Sequence, residues 1–340
     1  MKYGEIVQEI VAAILRERLA DAALAFAEGA GASDIVPIFI TDEEDVKRIT
    51  IASYQPCGLA KLAMQLRGKG QKLAVVVRPC DARAMVELAK RKQLDLEDLY
   101  LVGIECYGVS REPRGEIYIF PEEIELDGEI RPLDAGILSP NCLRCEYPIP
   151  TMADISCGIE KDGSCSVRAN TEKGKIILSA AKIASQEKPK DISLITEKAL
   201  RRQEEEFGEL RQMEPEERRS YWLRQLDKCI KCYGCRNACP ICYCEDCYLE
   251  PDRTLIEKGG FPPEKLFHIT RLIHMGDSCV NCGQCEAACP MEIPLSKLFH
   301  MMSKELGSIF KYEVGLDVNA LPPMSTITEE DLAKGGVGLD

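Results

Sequence analysis

The chain lacks an apolar N-terminal segment of the kind that directs export, and no apolar run approaches the roughly 20 residues that cross a bilayer. The expectation is a cytoplasmic protein that meets a membrane only through a partner. It also lacks a basic excess: 43 Lys and Arg stand against 56 Asp and Glu, a formal charge of −13, which argues against a nucleic-acid partner. A dinucleotide-binding loop is missing too, because the Gly29–Gly31 GAG run follows a helical pattern where such a loop follows a strand. No Ser/His/Asp set or carboxylate pair stands out as catalytic machinery. With acyl transfer and hydrolysis unsupported, function falls to what is abundant, the 18 cysteines among 340 residues.

So many cysteines in a short secreted chain would make a disulfide scaffold, but this chain is long and carries no leader. Their spacing is specific. Cys229, Cys232, Cys235 and Cys239 precede Pro240, and Cys279, Cys282, Cys285 and Cys289 precede Pro290. Two C-x2-C-x2-C-x3-C-P runs are the pattern of a two-cluster ferredoxin, in which three thiolates hold one [4Fe–4S] cube and the fourth reaches across to the other. The expected sets are therefore Cys229, Cys232, Cys235 with Cys289, and Cys279, Cys282, Cys285 with Cys239.

Upstream, helix and strand patterns alternate. A helix is expected over 5–27, then strands at 35–40, 72–77 and 99–104 and helices at 58–67 and 81–92. This β-α-β order implies parallel strands covered by helices. Cys80 and Cys106 fall just past the carboxyl ends of successive strands, where such sheets form a crevice. Cys142 and Cys145 add a CxxC. Four thiolates from three loops can close a third [4Fe–4S] site. Residues 153–178 read as a small β unit, with two short strands turning at Lys173–Gly174.

A strand ending in PC at Cys80, GIEC at Cys106, the CxxC at Cys142 and Cys145, ADIS-x-G at Ala153–Gly158, and Arg168 followed by TEKG at Thr171–Gly174 together form a longer pattern. It resembles the beta subunits of coenzyme F420-reducing hydrogenases and F420-dependent formate dehydrogenases, over about residues 50–180. The resemblance implies a [4Fe–4S] cluster on Cys80, Cys106, Cys142 and Cys145 beside FAD, with hydride exchange between the flavin and F420. It also implies flavin contacts from Asp154, Gly158, Arg168, Thr171 and Lys173. The family's Ser-Gly-Gly flavin contact has no counterpart in residues 1–50. The Arg78–Asp81 RPCD run resembles iron–sulfur subunits of sulfhydrogenases and anaerobic sulfite reductases, which implies the alternative of a flavin-free relay.

Residues 185–228 are highly charged and read as a linker with one or two surface helices, Trp222 and Leu223 docking on the ferredoxin domain. Cys279–Leu295 (CVNCGQCEAACPMEIPL) resembles the helical ferredoxin modules of heterodisulfide reductase and succinate dehydrogenase iron–sulfur subunits. The expected architecture is an α/β N-terminal domain with a small β unit (1–184), the linker, a mostly helical dicluster ferredoxin domain (229–313) and an extended tail (314–340). His268, His274 and His300 read as packing or surface residues. The Cys242, Cys244, Cys247 run, with Cys57, Cys157 or Cys165 as a fourth member, reads as a further metal site or as thiols packed beside the first cluster. The expected function is electron transfer within an anaerobic redox complex. Its catalytic partner would be of the formate dehydrogenase, hydrogenase or heterodisulfide reductase type.

Overall fold

The computed structural model describes residues 3–31, 34–54, 56–66, 68, 70–111, 117–119, 123–126, 129–132, 137–160, 164–186, 190–250 and 264–324. Helix α1 (Tyr3–Arg16) leads into strands β1 (Ala22–Glu28) and β2 (Ile35–Ile40). Helix α2 (Leu59–Leu66), strand β3 (Leu73–Val77), helix α3 (Pro79–Lys90) and strand β4 (Leu99–Ile104) come next. A small meander, β5 (Ile117–Ile119), β6 (Glu123–Leu126) and β7 (Glu129–Pro132), precedes the short helix α4 (Pro140–Leu143). Strands β8 (Ile155–Ile159) and β9 (Cys165–Ala169) and helix α5 (Glu172–Ala181) close the N-terminal part. The main sheet runs β2-β1-β3-β4-β8-β9. Its four inner strands are parallel, and β2 and β9 join its edges antiparallel.

The period-2 geometry of buried strands sorts the core. Leu73, Val75 and Val77 of β3 face α2 and α3, while Ala74 and Val76 face α1 and α5. The first face does not end with the α/β unit, because Ile241, Val280, Tyr312 and Val314 pack into the same cluster. The C-terminal part is thus seated on α2 and α3.

That part is helical: α6 (Ser193–Gln212), α7 (Pro215–Leu226), α8 (Gly234–Ala238), α9 (Glu264–Met275), α10 (Gln284–Ala287) and α11 (Leu295–Phe310). Its own core holds Phe267, Ile293, Leu295, Leu298 and Phe299, with Trp222 packed against it. The mixed α/β unit followed by a helical dicluster region agrees with the expected fold class.

Two expectations need correction. The helix expected over 5–27 stops at Arg16; Arg18 turns left-handed at φ 55°, and ALAFA enters the sheet as β1. Asp21 fixes this start by exchanging bonds with Lys72, its amide donating to the Lys72 carbonyl at 2.9 Å and its carboxylate accepting from the Lys72 amide at 2.8 Å. A short apolar run cannot by itself separate buried strand from helix. Second, Lys173–Gly174 is no hairpin. Thr171 caps α5, its hydroxyl oxygen accepting from the Gly174 amide at 3.0 Å. The 185–228 segment holds two helices, α6 and α7, where one or two were expected. α6 buries Ala199, Gln203, Phe207 and Leu210, and Gln203 donates to the Arg144 carbonyl at 2.8 Å.

Gly174 packs so closely on the Asp154 carbonyl that any Cβ would overlap it. Gly174→Ala is expected to cost about 1–3 kcal/mol, read as a lowered denaturant midpoint, with the iron content of the folded fraction unchanged.

Candidate iron–sulfur and flavin site

The β3-to-α3 turn places Cys80 in the first helical turn behind Pro79, whose fixed φ suits that position. Cys106 follows β4, its amide donating to the Pro148 carbonyl at 2.9 Å. Cys142 comes from α4 and Cys145 from two residues beyond its end. All four line one cavity of about 430 Å3. Burial pushes Cys80 well up and Cys142 up to about 12. Such thiols stay protonated unless a metal takes the proton's place. The donor set fits a cluster: four sulfurs from three loops of the α/β unit border one space, with no competing carboxylate among the residues lining it.

The rest of this cavity is lined by Tyr107, Val109, Leu138, Tyr147, Pro148 and Ile195, with Lys198 and Arg202 of α6 also on its wall. It is larger than a cluster needs and largely apolar.

The two ferredoxin runs fold alike. Lys231 and Tyr233 in the first run, and Asn281 and Gly283 in the second, all have positive φ at matching positions. The short helices α8 and α10 then continue each run and lie against one another. One small cavity is lined by Cys229, Cys232, Cys235 and Cys289, another by Cys239, Cys279, Cys282 and Cys285. Each groups three cysteines of one run with the last cysteine of the other. Burial raises Cys279 to about 11 and Cys282 and Cys285 well above the ordinary thiol range. Among the described residues no three His, Cys, Asp or Glu side chains converge on a single-ion site; the thiolates of a cubane each bind a different iron and stand wider apart.

The second dicluster site and the Cys80 site adjoin. Cys282 and Asn281 line the large cavity as well. Asn141 donates to the Asn281 carbonyl at 3.1 Å and Asn281 donates to the Asn141 carbonyl at 2.9 Å. Each Asn immediately precedes a cysteine ligand candidate, so the pair clasps the two loops. Gly283, at φ 74°, leaves room for the Asn141 carboxamide, which a Cβ there would overlap. Arg144, only 1% exposed between Cys142 and Cys145, completes the join by bonding Glu206 of α6 at 2.6 Å and Ser296 of α11 at 3.0 Å.

The five flavin-contact expectations lie elsewhere. Asp154 accepts from the Leu101 amide at 2.8 Å and from the Thr171 hydroxyl at 2.6 Å. Lys173 donates to the Leu96 and Glu97 carbonyls at 2.9 and 3.0 Å. These residues pin α5 to the amino ends of β4 and β8, whereas Cys106 stands past the carboxyl end of β4. Arg168 bonds Asn170 at 3.1 Å, and Gly158 admits the Glu105 carboxylate. None of the five lines the large cavity.

Of the extra cysteines, Cys242 donates its S–H to Cys239, which draws Cys239 down to about 6 and holds Cys242 up. Cys244 is exposed. Cys157 and Cys165 sit in the β8–β9 pair, Cys157 on the α1 face of the sheet, away from this run. Both His268 and His300 are buried, and desolvation lowers His268 to about 4.

A family model described as the 4Fe-4S dicluster domain matches residues 225–293. The F420-dependent formate dehydrogenase subunit beta of Methanocaldococcus jannaschii is 33% identical over 95% of the chain and 94% of that protein. The chain belongs to this beta-subunit family. A second member, the F420-dependent formate dehydrogenase 1 subunit beta of Methanococcus maripaludis, is likewise 33% identical, over 94% of the chain and 93% of its own length. A chain of the F420-reducing [NiFe] hydrogenase complex from Methanosarcina barkeri aligns with a TM-score of 0.43 at 17% identity, over 66% of this chain and 90% of that one. Within the family frame the chain carries 4Fe–4S clusters, and among its described residues no helix is long and apolar enough to cross a membrane.

Sequence reasoning missed three parts of the site: the Asn141–Asn281 clasp, the α6 wall of the cavity, and Arg271. The Asn-Cys dipeptide, present at both 141–142 and 281–282, was a legible signal for the first. The others needed the packing of α6 and α9.

Proposed function

We propose that this chain is an iron–sulfur electron-transfer subunit that links a flavin and F420 site in its α/β unit to a formate dehydrogenase catalytic subunit in the cytoplasm. The clusters would be held by Cys80, Cys106, Cys142 and Cys145; by Cys239, Cys279, Cys282 and Cys285; and by Cys229, Cys232, Cys235 and Cys289. The observation that carries this reading is the shared wall: Cys282 of the dicluster region lines the cavity of Cys80, Cys106, Cys142 and Cys145. Cys232 of the last set is exposed, so the same succession leads outward to a partner.

When bound, a flavin supplies the exchange of a two-electron hydride for single electrons, which clusters carry one at a time. Tyr107, Tyr147 and Leu138 would bound its ring and exclude water, and Lys198 and Arg202 suit the charge of its phosphates. The chain's own groups hold the thiolates, fix loop spacing through the two Asn side chains, and keep the route dry.

The second reading is a relay without flavin. What favours it is the placement of Asp154, Thr171 and Lys173 in bonds that pin α5, away from the cavity. Acid extraction of protein purified without oxygen decides between them. About one FAD with roughly 12 iron atoms per chain, as three four-iron clusters require, is the expected result. Full iron without flavin would leave the relay, its hydride chemistry belonging to a neighbouring subunit.

A further inference from the structure

Arg271 of α9 is 2% exposed and reaches both dicluster sites. One guanidinium nitrogen, Nη1, donates to the Cys235 sulfur at 3.1 Å, and the other, Nη2, donates to the Cys235 carbonyl at 3.1 Å and lies 3.9 Å from the Cys242 sulfur. The same side chain lines the cavity of Cys239, Cys279, Cys282 and Cys285. Phe267 and Phe299 flank it, with ring centroids 5.8 and 5.1 Å from the guanidinium carbon. Its Nε has no hydrogen-bond partner, and among the described residues no carboxylate pairs with it.

An ionised guanidinium cannot shed its proton, and an uncompensated buried charge is costly. Among the described residues, the ionisable groups that favour the charge on Arg271 are the sulfurs of Cys242, Cys235, Cys239 and Cys285, which belong to both runs or, as Cys242, touch one of them. The compensation must come from the negative charge of the thiolate-bound clusters.

We propose that Arg271 is the shared counter-ion of the two dicluster centres, raising the reduction potentials of both. Each reduction adds one negative charge to a centre. A fixed cation between two such centres favours both reductions, while the repulsion between the two added charges is a separate interaction that it leaves in place. The device suits a route fed by hydride, because two electrons arrive together and both have somewhere to go. Bonds from its fork to Cys235 also give the outer site the larger share of the effect.

This inference rests on the dicluster assignment above, and the experiment separates the two. The anaerobically purified full chain, and its Arg271→Met and Arg271→Lys variants, are titrated with a low-potential chemical reductant while iron is counted and the reduced centres are followed by electron paramagnetic resonance. In Arg271→Met with full iron, both midpoint potentials are expected to fall, that of the centre holding Cys235 by more. In Arg271→Lys both should stay nearer those of the unaltered chain, since the charge remains and only the fork is lost. Unmoved potentials in an iron-replete Met variant overturn the role of Arg271 and leave the cluster assignment standing. Absence of iron–sulfur signals from the dicluster sites in the unaltered chain would instead overturn the assignment. Should the Met variant fail to retain iron, Arg271→Gln, which removes the charge and keeps a hydrogen-bond donor, decides: lowered potentials with full iron support the proposal, and unmoved potentials overturn it.

Discussion

Cys80→Ser is expected to remove about four iron atoms per chain, one cubane's worth, while the paramagnetic signals of the dicluster centres persist. Electron flow between the α/β unit and the exposed Cys232 end should fall by orders of magnitude, because a missing centre breaks a series path at its inner end. The expectation comes from placement. Cys80 sits on the wall shared with Cys282, and its neighbours Cys106, Cys142 and Cys145 complete the set of four from the α/β unit. Iron analysis with parallel reduction assays reads both effects. An unchanged iron count would remove the third cluster from the scheme and leave Cys80 as a buried thiol.

Glu87→Ala is expected to give the largest loss of stability, roughly 3–5 kcal/mol. Glu87 lies on α3, the helix that also carries Cys80, and is fully buried. Its carboxylate accepts from Lys90 and Arg91 at 2.8 Å each, from the Tyr312 hydroxyl at 2.7 Å and from the Gly315 amide at 2.8 Å. Truncation leaves two buried cations short of their counter-charge; Arg91 keeps Asp277 at 3.6 Å, while Lys90 keeps only the Tyr312 hydroxyl at 2.7 Å. The loss should appear as a lower denaturant midpoint together with faster proteolysis after Tyr312. Equal midpoints for the variant and the unaltered chain would refute this account of the joint.

Much of this architecture was legible in the sequence. β4 lies at 99–104 as its apolar run indicates, β3 and α2 fall within a residue of the expected bounds, and the paired cysteine runs announced the dicluster region that the family model matches. The misreadings have physical causes. ALAFA is short and apolar, so its partner strand decides what it becomes, and β3 supplies that partner. Lys173–Gly174 has turn composition, but the cap set by Thr171 two residues earlier governs the backbone there. The helices of the charged 185–228 stretch were expected, but not the wall that α6 forms, because its buried residues Ala199, Gln203, Phe207 and Leu210 are few and lie on one stripe. Of the site, the cysteines were visible as a pattern. Arg271 and the Asn clasp were not, because a single Arg or Asn carries no periodic signal until distant segments meet.

The two ferredoxin loops are near copies in backbone, down to left-handed residues at matching positions, yet one such position holds Tyr233 and its counterpart Gly283. Gly283 abuts Asn141 of the α/β unit, while the Tyr233 ring packs edge-on against Phe267. Two halves that are almost interchangeable as ligand cages are therefore not interchangeable as neighbours: one faces the interior of the chain, the other the outside. On the proposed electron route, the pair would acquire a sense of inward and outward from a single missing side chain, without any difference in the cysteine pattern itself.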